Sequence, residues 1–396
     1  MVAVHLIAAW NTRELVAKGY PDFTIFYSAG KMIRGGLAGR LYEEQAQYRT
    51  QREFASGVGI RMGALPYNHP PFEALIFVPL TFVPYLAAYF LWDAINVLIL
   101  VALPFILRPY LPALRETSVL SWVFVSLAFF PVFIALLQGQ DTLILLLLFA
   151  LAFVSLSKNS DVAAGCWLGL GLFRFHLVLP IMLILGMRRR YKTVLGFAII
   201  ALALGLVSMA AIGVHETLAY PGYVLRVERS MALRRTVIPV DMPNIRGLVD
   251  LVFPVSGSRV VPDLLIGVVS VALLVFSIRK WERPSQDADN FDLGFALCVV
   301  VTILISYHAF FYDLSLLLLP ISLFVNRCFS SPQVNAGTVL SLMGPLPVLF
   351  FTPLSMFLWK HNVACLMALV LLLWVRGISR TIGRAQSFTA ARTAEN

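Results

Sequence analysis

The chain has 396 residues, 59% of them hydrophobic and only 13% charged, with a mean hydropathy of +0.82. Soluble globular chains carry about 25% charged and about 45–50% apolar residues, so a disordered chain, a coiled coil and most soluble enzymes are excluded. The runs are solidly apolar rather than alternating, which also excludes a transmembrane β-barrel. The fold class is all-α: a polytopic membrane protein of about 10–12 membrane segments, with residues 1–396 forming a single integral membrane domain.

In chain order, residues 1–10 are apolar but give way to Asn11, Thr12, Arg13 and Glu14. They read as a partial helix or a truncated start, without the basic leader and small-residue cleavage site of a signal peptide. A polar stretch, 11–71, reads as a first outer loop. A spanning helix needs about 20 mostly apolar residues. Candidates follow at Tyr85–Leu107, 118–137, Thr142–Ser157, 193–212, 264–278, 291–306, 314–325, 337–351 and 358–375. Several are short, as in proteins whose broken helices border a buried site. The apolar stretch 162–187 is interrupted by Phe173-Arg174-Phe175-His176 and reads as two short segments meeting at that tetrad. A second outer loop spans 213–260. A basic cytoplasmic tail, with Arg376, Arg380, Arg384 and Arg392, spans 376–396.

Charge tests the topology. With the first loop outside, the inner loops hold Arg108, Arg115, Lys158, Arg188, Arg189, Arg190, Lys192, Arg279, Lys280, Arg283 and Arg327, which is the positive-inside pattern. The net charge of +10 therefore reads as membrane chemistry and contact with anionic membrane lipids, not nucleic-acid binding. Five polar clusters then map to the outer side. They are the Asp22 region, Gln138 to Gln140, Arg174 with His176, the arginine-rich second loop, and Tyr307 to Asp313. Polar residues at membrane depth are costly and mark functional sites by default. The cysteines Cys166, Cys298, Cys328 and Cys365 lack CxxC or Cys/His spacing and read as small hydrophobes.

The segment Pro21-Asp22-Phe23-Thr24-Ile25-Phe26-Tyr27-Ser28-Ala29-Gly30, followed by Gly35-Gly36 and Leu41-Tyr42, resembles glycosyltransferase family 87. So do Tyr67-Asn68-His69-Pro70-Pro71-Phe72, Gln138-Gly139-Gln140-Asp141, Ala164-Gly165 to Gly169, and Arg174 to Pro180. Met242-Pro243-Asn244 and Ser306-Tyr307-His308 with Tyr312-Asp313-Leu314 are similar to its later motifs. The resemblance spans most of the chain in order. It implies a C-type glycosyltransferase fold and transfer of a hexose, mannose in the best-understood members, from a polyprenyl-phosphate donor. The acceptor is a lipid or glycan on the outer face of the membrane. By motif match Asp22 is the base. Two departures stand out: members normally have a full spanning helix before this Asp, and many carry Lys where this chain has Arg174 and His176.

Such transfer needs a base for the acceptor hydroxyl, negative charge near an oxocarbenium-like centre, and donors for the departing phosphate. Asp22 also suits a helix N-cap. His308 suits a structural histidine or a phosphate contact, and Asp313 a cap on the following helix. Arg174 and His176 could snorkel to headgroups or bind lipid phosphate. Tyr67, Asn68 and His69 form either a turn or a wall of the sugar pocket. Tyr27, Gln138, Gln140 and Asn244 complete the expected substrate contacts. Arg226, Arg229, Arg234, Arg235 and Arg246 read mostly as a solvated face, with one or two reaching the donor phosphate. Asp287-Ala288-Asp289 matches a metal and nucleotide-sugar DxD pattern, but in a short inner loop. The transfer is expected to invert configuration, with no cofactor and no metal. The competing class is a transporter or lipid flippase, which would show inverted repeats; none is visible. The expected location is the bacterial inner (plasma) membrane, multi-pass, with the active site facing the periplasm or exterior.

Overall fold

The computed structural model describes residues 1–57, 65–234, 241–253, 258–281, 289–330, 334–354 and 363–395, with side chains omitted at 228–234, 289–290 and 384–395. The chain is 83% helical with no strand among the described residues, and it is an all-α polytopic membrane protein. Among the described residues, six helical runs are long and apolar enough to cross a membrane, counting the run Asp161–Met187 described below, and a bent pair makes a seventh. Four shorter apolar helices, Pro71–Phe82, Thr142–Ser157, Phe291–Ile305 and Ala336–Phe350, account for the larger number expected from hydropathy.

The described part of the first polar stretch is largely helical. Helix α1 (Val2–Ala17) runs straight through Asn11 to Glu14, and α2 (Phe23–Arg34), α3 (Glu44–Arg52) and α4 (Pro71–Phe77) follow. In α2 the residues from Phe23 to Gly30 are all buried. Helix α3 is polar in composition, yet Gln47 and Gln51, one turn apart, are fully buried. Gln51 donates to the Leu65 carbonyl (2.8 Å) and accepts from the Leu65 N–H (3.0 Å), while Gln47 accepts from the Tyr67 N–H (3.0 Å). Two amide side chains thus do for this extended segment what a neighbouring strand would do, and they place Asn68 and His69.

Helix α5 (Tyr85–Leu107) leads through a single turn, α6 (Pro112–Arg115), to α7 (Val119–Ala128) and α8 (Phe130–Gln138). The last two meet at 78°. Pro131 explains the break, because its ring removes an N–H and crowds the carbonyl four residues back. That carbonyl belongs to Leu127, and it lies 3.0 Å from Nδ1 of His5 in α1. Helix α8 ends at Gly139, which takes the left-handed conformation (φ 61°, ψ 44°) suited to a C-terminal cap. Tyr89 and Trp92 of α5 donate to the freed carbonyls of Leu136, Leu137 and Gly139. This fixes the turn that carries Gln138, Gln140 and Asp141 ahead of α9 (Thr142–Ser157).

Helices α10 (Asp161–Leu170) and α11 (Phe175–Met187) are joined by a 3₁₀ turn, Gly171–Arg174. A straight run of this length would extend about 40 Å at 1.5 Å per residue. Yet Arg190, just past its end, lies 3.3 Å from Asp161 at its start. The chain therefore doubles back at Arg174. Helix α12 (Tyr191–Ile212) then runs alongside α10. A Cβ on Gly165 would lie 1.9 Å from the Thr193 carbonyl oxygen, and one on Gly196 would lie 2.1 Å from that of Val162. Small residues permit this approach, as is usual between membrane helices.

The second polar stretch is also largely helical, as α13 (Val214–Arg234) and α14 (Ile245–Val252). The remaining elements are α15 (Val260–Trp281), α16 (Asp289–Ile305), a 3₁₀ segment Phe311–Leu317 leading into α17 (Leu318–Ser330), α18 (Ala336–Met343), α19 (Leu346–Phe350) and α20 (Val363–Glu395). Basic residues gather at one end of the bundle. Lys158 lies over the Tyr110 ring, Arg188 over Trp281, and Lys280, Arg376 and Arg380 share a groove. Arg229, Arg234, Arg235, Arg283, Asp287, Arg384 and Arg392 fall outside the described side chains.

Candidate active site

At the opposite end lies a cavity of about 1340 Å³, bordered by Asp22, His69, Gln140, Arg174, His176, Tyr220, Arg246 and His308. Its other flank is apolar, formed by Leu172 and Leu179 of the hairpin, Ala201 and Leu204 of α12, and Val224 and Leu225 of α13. Drug-sized ligands occupy about 300–1,000 Å³, so this space exceeds the needs of a single hexose.

Asp22 occupies the N-cap position of α2, but its side chain makes no cap bond. Its Oδ2 instead accepts from Gln140 Nε2 (2.9 Å), and its N–H donates to Gln138 Oε1 (3.1 Å). Beneath it, Phe23 packs on Phe77, Tyr85, Tyr89 and Trp92. The carboxylate is thus aimed at the cavity by the rigid turn at Gly139.

Arg174 is 3% exposed and is consumed by partners. Its Nε donates to Asp141 Oδ1 (2.7 Å), its Nη2 to Gln140 Oε1, and its Nη1 lies 3.7 Å from Asp313. The guanidinium also lies over the Tyr312 ring at 5.4 Å. Burial works against the Asp141 charge, but Arg174, joined by His69, outweighs it and holds the carboxyl below its ordinary range. Burial pushes the His69 imidazole down to about 3, with the Arg174 charge adding to the effect. His69, Glu73 and Asp141 form the one group among the described residues with the spacing to hold a metal ion.

Across the cavity, His176 Nδ1 lies 2.7 Å from Ser306 Oγ, and its ring is 6.1 Å from that of His308. Asn244 caps α14 by accepting from Gly247 N–H and donates to the Ser306 carbonyl (2.9 Å). It therefore fixes the turn that carries His308 without lining the cavity. Arg246 donates to the Tyr307 carbonyl (3.0 Å), lies 3.9 Å from that ring's centre, and has Asp250 Oδ2 3.7 Å from its Nε. Arg259 bridges Asp250 and Asp263.

Of the residues singled out in the sequence, Asp22, Asn68, His69, Gln140, Arg174, His176 and His308 border the cavity together. Tyr27, Tyr67, Gln138, Asn244 and Asp313 are not on its wall. Tyr27 is buried, its hydroxyl donating to the Val83 carbonyl, and the Tyr67 hydroxyl likewise serves Pro70. Asp313 is fully buried and accepts from the Phe310 N–H (2.8 Å), as a helix cap would. Arg226 is not on the wall, whereas Arg246 is. Sequence reasoning passed over Glu73, Ser208 and Tyr220. For Glu73 a signal existed, since it is the one charge in the apolar helix Pro71–Phe77.

No curated protein and no solved structure matches the chain. A family model does match, that of glycosyltransferase family 87, over residues 67–306. The match takes in His69, Gln140, Arg174, His176 and Arg246, while His308 lies just past its end and Asp22 lies well before its start. Covering more than half of an all-α polytopic chain, it establishes that this protein is a membrane glycosyltransferase belonging to glycosyltransferase family 87.

Proposed function

We propose that the protein transfers a hexose, mannose in our reading, from a polyprenyl-phosphate donor to a lipid or glycan acceptor, with inversion. The observation that carries this reading is the composition of one cavity. Asp22 borders it together with Arg246, His176 and His308, and its far flank is apolar. The Asp22 carboxylate takes the proton of the acceptor hydroxyl. The acceptor oxygen bonds to the anomeric carbon, and the carbon–oxygen bond to phosphate breaks with its electron pair staying on phosphate. General-base assistance of this kind contributes about 10²–10⁴-fold. Arg246 and the two imidazoles meet the departing phosphate through charge-assisted hydrogen bonds. Arg174 is better suited to holding Gln140 and Asp141, because two of its nitrogens already donate to them, whereas Arg246 shares its carboxylate neighbour, Asp250, with Arg259. The apolar flank accepts the first isoprene units of the donor. Basic residues at the opposite end favour placing the cavity at the outer face of the bacterial plasma membrane.

The test uses purified protein, radiolabelled polyprenyl-phosphate mannose and a membrane lipid extract. Wild type transfers label to an extractable product, and Asp22→Asn loses about 10²–10⁴ of the rate while still binding donor. Absence of transfer by wild type, or an unchanged rate in Asp22→Asn, would sink the proposal.

A further inference from the structure

His69 borders the cavity, Glu73 and Asp141 lie behind it, and none of the three takes part in the transfer step above. Proline residues 70 and 71 start α4, so His69 and Glu73 fall one helical turn apart, and Asp141 approaches from the start of α9. His69 Nδ1 is 2.7 Å from Glu73 Oε2 and 3.8 Å from Asp141 Oδ2. Each residue offers a ligand atom within 4.8 Å of the others. All three are more than nine-tenths buried. Among the described residues, His69 Nδ1, both Glu73 oxygens and Asp141 Oδ2 make no well-aligned hydrogen bond, only close contacts with one another. Buried polar atoms without partners are rare, and buried charges require compensation.

The charges do not balance within this pocket of side chains. With all three carboxyl groups of Glu73, Asp141 and Asp313 ionised, Arg174 offers one positive charge against three negative ones. A divalent cation supplies the two that are missing. Oxygen and nitrogen ligands lie about 2.0–2.2 Å from such an ion, which sets them about 3–3.5 Å apart. The 2.7 and 3.8 Å separations bracket that spacing. One imidazole with two carboxylates suits zinc and manganese rather than the all-oxygen cages of calcium and magnesium.

We infer that His69, Glu73 and Asp141 bind one divalent transition-metal cation of the Zn²⁺ or Mn²⁺ class beside the cavity. Asp141 then holds Arg174 through Oδ1 and the cation through Oδ2. Since Arg174 holds Gln140 and Gln140 holds Asp22, the ion is a positioning element behind the wall. This departs from the metal-free chemistry expected of the sequence, and it stands apart from the transfer reading.

The test counts metal, not product. Purified full-length protein is stripped with EDTA and dialysed against Zn²⁺ or Mn²⁺, and bound metal is measured by mass spectrometry. One equivalent per chain is expected. Affinity should fall at least tenfold in Glu73→Gln and in Asp141→Asn but not in Asp161→Asn at the opposite end. Zinc absorption spectroscopy on wild type should show one imidazole among the ligands, a result that needs no variant to fold. No saturable metal on wild type, no imidazole ligand, or wild-type affinity in both folded variants overturns the site. Because no sugar donor is present, failure here leaves the transfer reading standing, and failure of transfer leaves this site standing.

Discussion

Removing Arg174 tests whether its guanidinium serves the scaffold. Arg174 is 3% exposed, Asp141 2% and Asp313 fully buried, so solvent screens none of these charges. Arg174→Gln leaves two buried carboxylates without their shared cation. Breaking a buried pair by deleting one partner costs about 3–5 kcal/mol. Asp141→Asn is milder, because Arg174 keeps Gln140 and the nearby Asp313. Losing one charge-assisted hydrogen bond there should cost about 1.5–3 kcal/mol. Independent effects would sum to about 4.5–8 kcal/mol in the double variant. Since both single changes strike the same contact, the double variant should instead be little worse than Arg174→Gln alone, with a coupling of about 1.5–3 kcal/mol. The assay is unfolding of the purified protein by SDS titration in mixed micelles, followed by far-ultraviolet circular dichroism in EDTA. Additivity within about 0.5 kcal/mol, or a negligible effect of Arg174→Gln, would refute the pairing and return Arg174 to the pool of phosphate ligands.

Two glycines give further tests. Gly139 has φ 61°, and a Cβ there would lie 2.6 Å from Phe23 Cβ. Gly139→Ala should lose about 1–3 kcal/mol in the same titration and should slow transfer by disturbing the Gln138 and Gln140 contacts to Asp22; wild-type stability would show that the turn is not constrained. Gly205 borders the cavity, and a Cβ there would have nothing within 4 Å. Gly205→Trp should fold normally and raise KM for a long-chain donor about tenfold, or 1.4 kcal/mol, with little change for a donor of two isoprene units. Equal effects on both donors would place the lipid tail elsewhere.

The membrane class, the doubling back at the Phe173 to His176 tetrad and the gathering of Gln140, Arg174, His176 and His308 were all legible in the sequence. Each depended on polar residues interrupting apolar runs, which is a strong signal because such residues are costly in lipid. The folding of 11–71 and 213–260 was not legible. Helix α3 is polar overall, and only the tertiary contact with residues 65–67 shows why Gln47 and Gln51 are buried. Nor could spacing reveal that Arg174 is answered by Asp141, 33 residues away. A motif reports which residue types are present, whereas charge compensation depends on which helix lies opposite. Asp22 illustrates the same limit: its N-cap position was readable, but its hydrogen bond to Gln140, rather than to its own helix, was not.

The hairpin of α10 and α11 has a consequence for how the chain is made. Its arms have 10 and 13 residues, about 15 and 20 Å, against a hydrocarbon thickness of about 30 Å. Neither arm can be integrated alone as a full crossing, and its tip carries an arginine. Helix α9, with Asp141 at its head, is synthesised first. The nascent hairpin therefore enters a membrane where the counter-ion for its tip is already in place. Order of synthesis and charge matching act together, so moving Asp141 to a later position in the chain would leave the arginine to enter lipid unaccompanied.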